Sequence, residues 1–361
     1  MDWLKASMRV IWFFFFTLSA VLYAERGIIL CCSDKYLTTA FTSLAFLRDH
    51  LACTLPVEIW YAGDELGKTG KHLLSKCDVI LRDLCDHYSN AAEELRGYHS
   101  KPLALAATVF DEVILMDADM FFFIDPSTLF DLEPYQKTGA YFFRDRLEMK
   151  YCGYGHQPKY SAFGDWSPNY QYKNREALFK KLIPSISDSV PDDWRHYWTE
   201  QRPSFRQPIP SEHQDSSCVV IDKRRHREGI KKILQLNTVN RKVLYKQIHG
   251  DKETYWLGLE MAKEPFFVNP DPPLRLYGAT IDAIGEVLSI EMVHFIHGEM
   301  IFASKPPIPL GQSPIFVHSS VPIDIDMDQV PESKKYPLKT EENTQLELLL
   351  FYCETLESAM R

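Results

Sequence analysis

Apolar residues along this chain fall into short unbroken runs, separated by stretches where they recur every third or fourth position. GIILCC (27–32) predicts a buried strand, and Leu37, Phe41, Leu44, Leu47 and Leu51 then repeat at helical spacing. VEIWYA (57–62) predicts a second strand, stopped by Gly63 and Asp64; 71–74 predict a helix and 79–81 a short strand. Residues 101–110 predict a helix that leads into the strand VILM (113–116). Strands alternating with helices imply an α/β chain with a central, mainly parallel sheet flanked by helices. In such sheets ligands bind beyond the carboxyl ends of the strands, where Asp34, Asp64 and the pair Asp117/Asp119 fall.

The second half reads differently. GAYFFRDR (139–146) is one more strand, but 151–213 are rich in Tyr, Trp and Pro without a period. So long an irregular stretch inside a compact domain is expected to be a lid or binding loop. Regularity returns with SCVVID (217–222), a basic helix to about residue 235, a short helix over 254–261 and an amphipathic helix over 346–360.

The most informative string is VILMDADMFFF (113–123). Carboxylates among so many apolar neighbours are costly unless a cation compensates them. Asp117 and Asp119, two apart, would point the same way on a strand and could meet one ion at its end. Carboxylates suit hard cations such as Mg²⁺ or Mn²⁺, which phosphate-handling sites share between protein and substrate oxygens. The pair therefore reads as a metal–diphosphate site.

Composition narrows the classes. With 361 residues, 45% apolar and 25% charged, the chain can build a large core. A net charge of −9 argues against a nucleic-acid surface; the run from Lys223 to Arg227 is the local exception and reads as a solvated helix start. Residues 10–24 are uncharged and follow Lys5 and Arg9. As a helix they span about 22 Å, suited to a signal peptide or a short signal-anchor in a thin early-secretory membrane. The expected domains are thus 1–25, a signal-anchor or signal peptide, and 26–361, one large α/β domain whose parts divide at about residue 150. The eight cysteines show no zinc spacing, and Cys31, Cys32 and Cys218 are expected as buried free thiols.

Five segments, in order, resemble blocks of the fungal α-1,3-mannosyltransferases that extend glycoprotein chains. They are TLPVEIWYAGDEL (54–66), the block from Lys101 to Phe130 around Asp117/Asp119, HQDSSCVVIDKRRH (213–226), GDKETYWLGLEM (250–261) and PIFVHSSVP (314–322). Ser217 stands where that family commonly has Gly. The resemblance implies a GT-A nucleotide-sugar fold, Mn²⁺, GDP-mannose as donor and a glycan or glycoprotein as acceptor. It further implies retention of configuration and a single-pass type II place in the Golgi membrane, catalytic domain luminal. It makes 26–150 the nucleotide-sugar part and 151–361 the acceptor-side part of one catalytic domain, Asp119 a direct metal ligand, Asp117 a contact of the ribose or the ion, and His318 the third ligand, His294 being the rival. Lys101 would meet phosphate or sugar, and Asp215 would lie by the reacting sugar. Arg144, Asp145 and Arg146 could grip the donor or form a surface ion cluster. Asp251 and Glu253 are candidates for the acceptor-side base, with helix capping an equal account of Asp251. Asp34 and Asp64 could bind the nucleoside. Another nucleotide sugar (UDP-glucose or UDP-GlcNAc), or a catalytically silent glycan-binding homologue, are the alternatives.

Overall fold

The computed structural model describes residues 25–145, 147–148, 181–183, 209–210, 213–271, 273–280, 287–304 and 308–309. The apolar segment 10–24, most of the lid stretch, Arg146, His318 and the last expected helix lie outside the described residues. Among the described residues no helix is long and apolar enough to cross a membrane.

In chain order the strands are β1 Arg26–Cys31, β2 Val57–Tyr61, β3 Ile80–Asp83, β4 Glu112–Met116, β5 Phe121–Phe122, β6 Ala140–Arg144 and β7 Leu147–Glu148. They continue as β8 Ile209–Pro210, β9 Gln214–Asp222, β10 Phe267–Val268, β11 Leu274–Thr280, β12 Val287–Ile296, β13 Glu299–Ala303 and β14 Ile308–Pro309. The helices are α1 Leu37–Asp49, α2 Lys68–Leu74, α3 Ala92–Leu95, α4 Ser100–Ala107, α5 Glu133–Thr138, α6 Arg227–Asn237, α7 Arg241–Leu244 and α8 Thr254–Ala262.

Seven strands form the main sheet in the order β10-β6-β9-β4-β1-β2-β3. Every neighbouring pair is parallel except those of β9, which runs antiparallel to both β4 and β6. The expected α/β architecture, a mainly parallel sheet flanked by helices, is what the chain forms. Alternation along the strands sends side chains to two cores. Ile29, Val113, Leu115, Val219 and Ile221 pack under α4, α6 and α8, while Ile28, Leu30, Ile114, Met116 and Val220 pack under α1 and α5.

From β1 the chain steps to β2 on one side, and β4 lies on the other, so the direction of winding reverses between β1 and β4. That reversal opens a crevice at their carboxyl ends. A second, antiparallel sheet runs β11-β12-β13-β5, with β14 beside β12. Because β5 follows β4 by four residues, the segment carrying Asp117 and Asp119 is where the chain crosses from one sheet to the other.

Candidate active site

Asp117 and Asp119 sit in the turn directly after β4, at the carboxyl end of the strand as expected, both half-buried. The turn is held by Asp117 N–H donating to the Ser217 carbonyl (2.8 Å) and Met120 N–H donating to the Asp117 carbonyl (3.4 Å). Leaving the strand there satisfies the backbone while letting two carboxylates stay near water.

Lys101, from the first turn of α4, reaches this turn from below. Its Nζ lies 2.7 Å from Asp117 Oδ1 and 3.1 Å from Asp251 Oδ2, and donates to the Ser216 carbonyl and hydroxyl at 3.2 Å each. Lys101 is 8% exposed and Asp251 1%. Burial works against the charged ammonium, but Asp117 and Asp251 outweigh it and hold the Lys101 pKa above its ordinary value. Burial raises the Asp251 pKa, with Lys101 pulling the other way, and Tyr255 Oη donates to Asp251 Oδ2 at 2.6 Å. Asp251 therefore binds Lys101 and Tyr255 and does not cap the helix, whose start is Thr254.

Asp117 and Asp119 set hard oxygen donors on a half-buried turn at the crevice, donor chemistry that fits a divalent cation such as Mn²⁺. Among the described residues no three His, Cys, Asp or Glu side chains form a ready metal cluster. His294 does not join the pair: it is fully buried, stacked on Phe302 (4.4 Å), with Nε2 2.9 Å from Asp215 Oδ2.

Asp215, near the start of β9, is held at both oxygens. Oδ1 accepts from Ser217 N–H (2.9 Å) and Oδ2 from Ser304 Oγ (2.6 Å) as well as meeting His294. Burial would raise its pKa, yet the hydrogen bond and charge of His294 and the Lys252 ammonium hold the carboxyl well below the usual range.

Several expected positions are corrected. Glu253, expected as an acceptor-side base, is fully buried and braces the frame: its carboxylate accepts from His213 N–H (2.6 Å) and from the Trp256 indole. Asp251 is likewise shut off from the opening. Asp145 forms no surface cluster; it is fully buried and accepts from Lys252 Nζ at 2.9 Å. Arg144 donates to the Pro270 carbonyl at 3.0 Å. Asp34 and Asp64 are exposed beyond β1 and β2, Asp34 accepting from Gly67 N–H (3.0 Å) and Asp64 pairing with Arg96. Of the expected thiols, Cys32 and Cys218 are buried and Cys31 is half-buried, with burial pushing Cys31 up to about 12.

Sequence reasoning missed Tyr255, Lys252, Ser216 and Ser304. Tyr255 follows Asp251 by four positions, a signal that was there to use. Ser304 lies far along the chain from Asp215, and nothing local marks it.

Known proteins resemble this chain in sequence and, more remotely, in structure. The chain is 27% identical over 283 residues to "Putative alpha-1,3-mannosyltransferase MNN15" of Candida albicans, covering 66% of this chain and 34% of the relative. It is 25% identical over 266 residues to "Alpha-1,3-mannosyltransferase MNT3" of Saccharomyces cerevisiae, covering 68% and 39%. The chain thus spans about a third of the length of these curated relatives. Among solved structures, the mannosyltransferase Ktr4p from S. cerevisiae in complex with GDP aligns over 69% of this chain and 70% of its own, at 12% identity and a TM-score of 0.42. That likeness is remote, and the fold described above stands on the chain's own sheet. Residues 25–295, most of the chain, match the family described as "Mannosyltransferase putative", and the chain belongs to that family.

Proposed function

We propose that this chain transfers mannose from GDP-mannose, with retention and in α-1,3 linkage, to a hydroxyl of a glycan or glycoprotein acceptor. The observation that carries this reading is the Lys101–Asp117–Asp251 cluster beside Asp119, at the winding reversal of a chain in a mannosyltransferase family. The names of the fungal relatives support the α-1,3 linkage.

A divalent ion on Asp117 and Asp119, with His318 as the expected third ligand, would supply Lewis-acid charge to the diphosphate when bound. Lys101 fixes Asp117 through its 2.7 Å ion pair. Asp34 and Asp64 offer carboxylates to the nucleoside at the rim. In transfer, the bond from the mannose anomeric carbon to the diphosphate oxygen breaks and a bond to the acceptor oxygen forms. The acceptor proton passes to the departing diphosphate, giving GDP. Asp215, tied at both oxygens, suits this same-face route better than one that needs a mobile nucleophile. The uncharged stretch 10–24 after Lys5 and Arg9 supports a type II anchor, with the catalytic part in the Golgi lumen.

Purified protein is expected to release GDP from GDP-mannose when Mn²⁺ and a mannoside are present, to stop on chelation, and to prefer GDP-mannose over UDP-glucose and UDP-GlcNAc. Asp119→Ala is expected to lower turnover at least about a hundredfold, the scale of losing electrostatic stabilisation at a leaving group. Full turnover in that variant would overturn the assignment.

A further inference from the structure

Among the described residues the exposed aromatic side chains are Tyr36 and Tyr98. Tyr36 already carries Lys35 over its ring, 5.0 Å from the centroid. Tyr98 is 54% exposed and is backed by the site itself.

Two features fix the Tyr98 ring. His249 lies beside it, ring centroids 5.2 Å apart at 57°. Gly250 lies beneath it with φ +63°, and a Cβ there would come within 2.5 Å of Tyr98 Cγ. Glycine is thus required twice at this position, for the left-handed backbone and for the close approach. Gly250 precedes Asp251, which binds Lys101, and Tyr98 itself lies three residues before Lys101. The ring is therefore anchored from both chain segments that build the Lys101–Asp117 cluster, while one part of it stays in water.

We propose that Tyr98 is a stacking platform for a pyranose ring of the acceptor glycan; this rests on the transferase reading above. A pyranose has an apolar C–H face and a hydroxyl rim, which matches the apolar body and polar hydroxyl of a tyrosine ring that is 54% exposed. A platform held in place beforehand binds with less loss of side-chain freedom. The donor's diphosphate, by contrast, calls for cations and the Asp117/Asp119 turn, and the backing of Tyr98 is a glycine and an imidazole.

The test uses the full chain with GDP-mannose and methyl α-mannoside, reading KM for each substrate. Tyr98→Ala and Tyr98→Leu are expected to raise the acceptor KM about tenfold while the donor KM stays within about twofold; Tyr98→Phe and Tyr98→Trp keep the acceptor KM within about twofold of the parent. An unchanged acceptor KM in the Ala and Leu variants, an equal rise in donor KM, or a Phe variant as poor as Ala would each overturn the proposal. Should the parent transfer no mannose, the functional reading fails separately. Saturation-transfer NMR with the mannoside then decides on Tyr98: loss of signal in Tyr98→Leu upholds the platform, and an undiminished signal sinks it.

Discussion

Lys101 holds two carboxylates with a tenth of its side chain exposed, and Asp251 beneath it is 2% exposed at the side chain. Removing the ammonium leaves the buried Asp251 carboxyl without its cation, to stay charged or take up a proton at a cost either way, with the Tyr255 hydroxyl its remaining partner among these contacts. Lys101→Met is therefore expected to cost about 3–5 kcal/mol, the scale of breaking a buried pair from one side. The urea unfolding midpoint measures this. Adding Asp251→Asn should recover part of the loss, because the uncompensated charge goes with it. A Lys101→Met protein within about 1 kcal/mol of its parent would mean that the cluster is held by packing and not by charge. The sequence marked Lys101 and Asp251 separately, and nothing in their spacing marked them as partners. They are 150 positions apart and meet because α4 and the loop before α8 rise on the same face of the sheet.

At the scale of elements, α6 and α8 carry the loop 249–253 into place by packing closer than side chains usually permit. A Cβ on Gly258 would lie 2.4 Å from Ile233 Cγ1 and 2.8 Å from the Ile233 backbone nitrogen. Since backbone cannot step aside as a side-chain tip can, Gly258→Ala is expected to destabilise by about 1–3 kcal/mol through overpacking. It should also lower kcat/KM, since α8 begins at Thr254, directly after Asp251, Lys252 and Glu253. A thermal midpoint and a kcat/KM both equal to the parent's would show that the helices can part freely. The elements themselves were largely legible. Short apolar runs gave β1, β2, β4, β6 and β9, and a 3.6-residue period gave α1, because core strands and amphipathic helices leave those periods in any sequence. The direction of β9 was not legible, since an apolar run reads the same in a parallel or antiparallel neighbour. Nor was the second sheet, whose strands pair across register shifts. The placing of the Asp117/Asp119 pair at the carboxyl end of its strand was legible, but not that the apolar residues after it belong to β5, in the other sheet.

At the scale of the whole molecule, the two sheets are stitched by polar groups as well as by the β4–β5 crossing. Asp215 and Ser217 belong to the main sheet, His294 belongs to the second and Ser304 directly follows its strand β13, and Ser217 Oγ lies 2.8 Å from Ser304 Oγ. This stitch has a pH signature. Asp215 has a folded pKa held well below its ordinary value of 3.8, so folding is favoured by its ionised form. A depressed carboxyl contributes stability that is fully present above the unfolded value and is lost as pH falls from there toward the folded value. Asp215→Asn keeps the shape and removes the charge. At neutral pH it should cost about 1.5–3 kcal/mol for each charge-assisted bond weakened. The gap between parent and variant should shrink below about pH 5, as the unfolded carboxyl takes up its proton. Urea unfolding of both proteins at a series of pH values measures the gap directly. A gap that stays constant to pH 3 would show that the two sheets are joined at Asp215 by shape alone and not by the carboxylate charge.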